Sequence, residues 1–297
     1  MATNTKRRAA DREALTVPDG ETVPVEAPTS SDTPVRSRRR RVPEIIYSVL
    51  VFIGLLVVWQ FVVKMFDVSN ILVPAPTAVA ESLVDGFQDG SLLTHSVVTL
   101  KEILIGFGIA VGSALVSAVL ITQFRTVERL LFPLLILTQT IPKVAMAPLL
   151  IVWFGIGISS KVLTVALIAF FPLLINAVLG FRSAAYEQVE MLRSFGASRI
   201  QVMRHLQIPS ALPHIFAGLE VAVILSVTGA VVAEFVGSSE GLGYLIQASN
   251  FSLDVARTFA VIVVLSAVGI ALHAVVVRIG KWLVFWTATP NDTASEI

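Results

Sequence analysis

Six apolar runs of roughly twenty residues recur along the chain, each long enough to cross a hydrocarbon core about 30 Å thick as a helix. They cover residues 44–63, 100–123, 130–153, 161–181, 213–236 and 257–279. The pattern predicts an all-α membrane protein with six transmembrane helices in a single domain, residues 44–285. The third run is the least regular, because Pro133, Pro142 and Pro148 interrupt it. Each proline frees a backbone carbonyl, and broken helices at membrane depth are tolerated where they line a cavity.

The polar segments between the runs have periods of their own. Residues 71–100 open on a proline turn and continue as an amphipathic helix with Val79, Leu83, Val84 and Phe87 on one face, expected along the membrane surface. Residues 237–254 are glycine-rich and then apolar for less than a crossing, which suits a re-entrant or surface segment. No Lys-Ser/Thr pair follows these glycines, so they do not read as a phosphate cradle. Small residues recur every fourth position in two spans: Gly108 and Gly112 with Ser113 and Ser117, then Gly218, Ala222, Ser226 and Ala230 with Glu234 continuing the stripe. Such stripes let helix backbones approach in lipid.

The most polar interruption lies at 187–209. Glu187, Glu190 and Arg193 share one helical face, and Val189, Leu192 and Phe195 follow the other. Gly196 suits the left-handed position that ends a helix. Ser198 and Gln201 then form a capping box, opening a second helix with Ile200, Met203 and Leu206 apolar, which Pro209 is expected to end. A DNA-binding helix-turn-helix shares the short helices and the turn glycine. Here both ends run into membrane helices, and only Arg199, Arg204 and His205 offer obvious contacts. A merely solvated loop does not need paired, capped amphipathic helices. What remains is a docking block whose apolar face is buried by a cytoplasmic protein and whose movement reaches the spans at both ends.

Composition narrows the chemistry. The chain is 55% hydrophobic and 14% charged, against roughly 25% charged in a soluble domain. It has no cysteine, and its four histidines fall in no metal-binding spacing, so disulfide, thiolate and metal chemistry are set aside. Positive residues gather on one side of the predicted spans: the arginine run within 36–41, Arg125, Arg129, Arg182, Arg193, Arg199, Arg204, Arg278 and Lys281. The other side carries Lys64, Lys161 and Arg257. The positive-inside rule therefore places both termini and the 187–209 block in the cytoplasm. Residues 1–43 read as a disordered basic tail that contacts anionic lipid rather than nucleic acid, and 286–297 as a short C-terminal tail. The first apolar run is too long for a cleaved signal peptide.

Lys143 lies well inside the third span, where an ammonium costs a few kcal/mol. One reading makes it part of a solute pathway suited to an anion, with Gln139 and Pro142 beside it. The other has it snorkel or pair with a carboxylate such as Glu234. Asn176, Ser226 and Glu234 are further pathway candidates, although Glu234 also reads as reaching the headgroups. His273 reads as a helix-contact residue. No Asp or Glu is expected deep in the spans, which counts against proton coupling.

The 187–209 block resembles a motif of the permease subunits of binding-protein-dependent ABC importers: E-A-A, three residues, G, nine residues, I-x-L-P. Here Glu190-Met191-Leu192 is followed by Arg193-Ser194-Phe195, Gly196, nine residues, and Leu206-Gln207-Ile208-Pro209. Met-Leu replaces the paired alanines, and the two aliphatic positions are exchanged. The stretches "QTIPKVAMAPLLIVWFGIG" and "EFVGSSEGLGYLIQAS" are similar to those of the branch importing nitrate, sulfonates such as taurine, and vitamin precursors. The resemblance implies a bacterial plasma-membrane permease that dimerises with a second copy. It would meet cytoplasmic ATPase subunits through a coupling block including Glu190, Arg193, Gly196, Ala197, Ser198, Leu206 and Pro209, and take solute from an extracytoplasmic binding protein. There is no Walker A sequence, so ATP and Mg would belong to the partner, and the chain would transport without being an enzyme. An ATP-independent carrier or channel and a membrane-anchored scaffold are the alternatives.

Overall fold

The computed structural model describes residues 44–67, 69 and 71–286; the expected tails, 1–43 and 287–297, lie outside it. Residues from Val51 onward form one compact unit, and the other, Met1–Leu50, is described only from residue 44, as the opening turns of α1 (Glu44–Met65). Every regular element among the described residues is a helix.

Four of these helices are long and apolar enough to cross a membrane. They are α3 (Ser91–Gln123), α6 (Ile158–Phe181), the continuous helix Arg199–Gly237 made of α8 (Arg199–Val202), a π-turn and α9 (Ile208–Gly237), and α11 (Val255–Leu283). They contain the second, fourth, fifth and sixth expected spans. The apolar helices at the first and third, Val49–Met65 and Lys143–Phe154, are shorter.

The third expected span is broken at Pro142, whereas Pro133 lies inside α4 (Arg125–Thr140) without interrupting it. After α4, Ile141 is extended, as a residue before proline prefers, and a 3-10 turn follows at Lys143–Met146. Pro148 then sits in the first turn of α5 (Ala147–Phe154), where its missing N–H has no partner to lose. Residues 71–100 also divide, into α2 (Pro76–Gln88) and the start of α3, at Gly90 with φ 75°. The expected apolar face divides with them: Val79 is buried, whereas Val84 and Phe87 are exposed.

The core forms where α6 lies between α3 and α9. Ala110, Ala114 and Ala118 of α3 pack with Ala166, Ala169, Leu173 and Ala177 of α6. The crossings are close: a Cβ added to Gly106 would lie 2.6 Å from Val165 Cβ, and one on Gly218 would lie 2.7 Å from Asn176 Cβ. The α9 stripe of Gly218, Ala222, Ser226, Ala230 and Glu234 is buried as expected. The Gly108/Gly112 pair is not used within the chain, since both face open space. Two residues turn an α-helix by about 200°, so the packing stripe of α3, which begins at Gly106, lies on nearly the opposite face. α10 (Leu242–Phe251), expected as a re-entrant or surface segment, buries Leu242, Leu245 and Ile246 with Leu92, Val261 and Val264.

Candidate functional site

The 187–209 block is built by its caps. α7 (Tyr186–Ser194) ends on Gly196 at φ 82°, a conformation costly for residues with a Cβ. The Gly196 N–H donates to the Arg193 carbonyl at 2.9 Å and the Ala197 N–H to that of Leu192 at 3.0 Å, the paired bonds of a Schellman motif. Ser198 then opens α8: its N–H donates to Gln201 Oε1 at 2.7 Å, and the Gln201 N–H donates to its hydroxyl at 3.4 Å. These features are as the spacing predicts. Pro209 behaves differently, because the second helix does not stop there. The π-turn Met203–Gln207, closed by a bond from the Ile208 N–H to the Met203 carbonyl, absorbs the hydrogen bond a proline cannot make. The helix then runs on to Gly237, so α8 and the long membrane helix are one lever.

The block leaves apolar surface uncovered. Phe195 is 81% exposed, Ile200 71% and Met191 53%. Beside them Leu192, Phe195, Gly196, Ala197, Gln201 and His205 line a hollow of about 290 Å³. Glu190 and Arg193 approach at 3.7 Å with both side chains about half exposed, a geometry worth little in stability. Leu206 is half-buried, and Val202, which the apolar spacing did not single out, is the residue α8 buries.

The described pathway candidates each make contacts of their own. Lys143 is half-buried in the 3-10 turn, its Nζ 4.9 Å from the centroid of the Phe171 ring of α6, within cation–π range. Asn176, further along α6, donates to the Pro172 carbonyl at 2.8 Å. Pro142 is exposed, and the side chain of Gln139 lies outside what is described. Ser226 is fully buried and donates to the Ala222 carbonyl of its own helix.

Glu234 neither pairs with Lys143 nor reaches outward. Its carboxylate is fully buried, accepting from the Thr99 hydroxyl at 2.7 Å and from the Gly243 N–H. Thr99 also accepts from the Leu242 N–H, and the Gly241 N–H donates to His95 Nδ1 at 2.9 Å, placing that ring's proton on Nε2. Next to this network, Lys161 Nζ meets Glu102 Oε1 at 2.9 Å and donates to Ser238 Oγ at 2.6 Å. Glu102 and Lys161 are 1% and 7% exposed, so two carboxylates and an ammonium are enclosed by the helices where no buried acid was expected. The sequence signal was an opposite charge near the start of the second and of the fourth apolar run. Among the described residues no group of side chains has the makeup of a metal site.

Residues 103–286 match the family described as binding-protein-dependent transport system inner membrane component. The riboflavin transport system permease protein RibX of Chloroflexus aurantiacus is 37% identical over 79% of this chain and 88% of its own length. The formylaminopyrimidine transport permease protein ThiX of Halalkalibacterium halodurans is 34% identical over 80% and 94%. The taurine transport system permease protein TauC of Escherichia coli is 31% identical over 77% and 86%. Among solved structures, the crystal structure of an amino acid ABC transporter with histidines matches with a TM-score of 0.54 and 16% identity, covering 69% of this chain and 98% of that one. That likeness is one of fold.

Proposed function

Because the chain belongs to the family of binding-protein-dependent transport system inner membrane components, we propose that it forms the solute pathway of an ABC importer and couples that pathway to a cytoplasmic ATPase. The observation that carries the coupling is the α7–α8 block. It is held in shape by its own caps, exposes Phe195, Ile200 and Met191, and continues without interruption into a membrane helix. An ATPase subunit covering that apolar face would turn its own closure into movement of α9. ATP and Mg stay with that subunit.

Six crossings follow if α1 and the broken α4–α5 segment span beside the four long helices. The arginine-rich face, with both termini and the block, is then cytoplasmic. A second copy of this chain completes the pathway, and an extracytoplasmic binding protein delivers the solute. What supports a small anion as solute is Lys143, half-buried on Phe171 with no carboxylate partner among the described residues. One relative is named for taurine transport, and taurine carries a sulfonate. Two others are named for riboflavin and formylaminopyrimidine, which keeps a vitamin precursor as the second class.

The test is co-purification of the permease with its cognate ATPase, followed by ATP-dependent uptake in proteoliposomes. Phe195→Asp removes both while leaving the melting temperature of the permease unchanged. Lys143→Ala keeps the ATPase but lowers uptake. If Phe195→Asp retains both the ATPase and uptake, the coupling assignment is wrong, and an ATP-independent carrier becomes the better reading.

A further inference from the structure

Against the α7–α8 block lies a second cavity, of about 650 Å³, that the transport reading does not use. One wall is the corner between α3 and α4, with Gln123, Phe124 and Thr126; the other is the block itself, with Arg193, Arg199 and Gln207. Among the described residues no Asp or Glu lines it. The ion pair Arg193 makes with Glu190, one turn back on α7, is long at 3.7 Å and solvent-exposed. Arg199 has no ion pair among the described residues. Two guanidinium groups, one from α7 and one from α8, therefore line a cavity whose described lining holds no carboxylate, Glu190 lying outside it.

The neutral donors complete the set. Gln123 Nε2 donates to Gln207 Oε1 at 2.9 Å, which leaves the Gln207 amide NH₂ without an acceptor among the described residues. Reversing both amides only moves the spare NH₂ to Gln123. The Thr122 hydroxyl is already committed to the Ala118 carbonyl, whereas that of Thr126, exposed in the first turn of α4, has no hydrogen bond among the described residues. Guanidinium forks match tetrahedral oxyanions, and the amide and hydroxyl supply the remaining donors. Phe124 adds an apolar wall suited to a carbon stub on the anion.

We propose that this cavity is a binding site for a phosphate or sulfonate group, gripped by Arg193 and Arg199 and closed by Thr126 and the spare glutamine amide. On the topology proposed above it opens at the cytoplasmic ends of the spans, within reach of a free oxyanion or a phospholipid headgroup. A bound anion ties the block to the α3–α4 corner, so occupancy restrains the element that carries coupling. This last consequence rests on the proposed function; the binding itself does not.

The test is isothermal titration of the full-length chain, delipidated in neutral detergent, with inorganic sulfate in one arm and dihexanoyl phosphatidylglycerol in the other. Saturable binding of sulfate identifies a free oxyanion as sufficient, and binding of the lipid alone identifies the headgroup. In either case the Arg193→Gln/Arg199→Gln double variant should weaken binding by about tenfold or more, the value of one lost charged hydrogen bond or greater. Arg199→Lys, which keeps the charge but loses the fork, should fall between. Absence of saturable binding in both arms overturns the proposal. So does an unchanged affinity in a double variant that retains the wild-type melting temperature. Because no ATPase is present, failure of the coupling assignment leaves this result untouched.

Discussion

Two ends of the same helices are built in opposite ways. Where α3, α6 and α9 meet near Glu102, Lys161 and Glu234, charged side chains are buried and bonded across elements distant in sequence. At the 187–209 block the charges are solvated, and phenylalanine, isoleucine and methionine face outward. The first region is held by tertiary pairing, which fixes how three long helices stand against one another. The second is held by local caps, which keep a shape without requiring a neighbour. Together they describe a helix tied to its neighbours at one end and flanked by exposed apolar side chains at the other, with α9 as the shared piece.

The largest effect is expected at the buried pair. Lys161→Ala leaves the Glu102 carboxylate enclosed without its ammonium, beside an Oε2 that already has no hydrogen-bond partner among the described residues. Breaking a buried pair from one side costs about 3–5 kcal/mol, whereas replacing both partners is often close to neutral. Thermal unfolding in detergent should therefore show a large loss for Lys161→Ala and recovery of most of it in Lys161→Met/Glu102→Gln. If Lys161→Ala melts with the wild type, the tied end is not tied by charge.

A smaller loss is expected at the crossing beside that pair. Gly106→Val drives a side chain into Val165 and should cost about 1–3 kcal/mol, the usual range for overpacking. Gly108→Val meets open space and should change stability within about 0.5 kcal/mol, as surface substitutions do. The reverse order would mean that the GxxxG pair, not the Gly106–Ala110–Ala114–Ala118 stripe, packs α3 in the monomer.

These two sites also mark where the sequence stopped being readable. Local features were legible: the proline break at 141–148, the Gly196 turn and the Ser198–Gln201 box each depend on a few adjacent residues, and each is found. The α9 stripe was legible because its series from Gly218 to Ala230 is longer than the Gly229–Ala233–Gly237 series beside it. In α3 two such series exist, and spacing alone does not say which faces a neighbour. The Glu102–Lys161 pair joins residues 59 positions apart, so it required knowing that α3 and α6 are neighbours. Glu234 was seen, but its partners lie on α3 and at the start of α10. Pro209 was read as a stop because a π-turn leaves no sequence mark beyond the proline it accommodates.

The block should respond locally. Gly196→Val forces a β-branched residue to φ 82°, and the left-handed conformation costs about 1–2 kcal/mol for a residue with a Cβ. Because caps hold most of this segment and Val202 is the only buried residue between 187 and 209, the loss should appear as faster amide exchange at residues 191–203 with little change in global melting. A global drop in melting temperature of the size expected for Lys161→Ala would show that the block is as deeply integrated as the charged end.

The smallest effect is expected at the corner where α2 meets α3. The Ser91 hydroxyl and N–H, with the Arg257 guanidinium 3.9 Å away, hold the Asp89 carboxyl below its usual range. A carboxyl whose folded value is depressed adds stability at pH above its unfolded value, about 3.9. That contribution is lost as pH falls through the lower folded value. Between pH 7 and 5 the wild type and Asp89→Asn should therefore differ by a constant offset in melting temperature. Below about pH 4 the wild type should lose stability more steeply, because it alone must protonate this group. Parallel acid limbs would show that the corner is held by Arg257 and Ser91 without Asp89, and that this exposed tie resembles the solvated charges of the block more than the buried ones it adjoins.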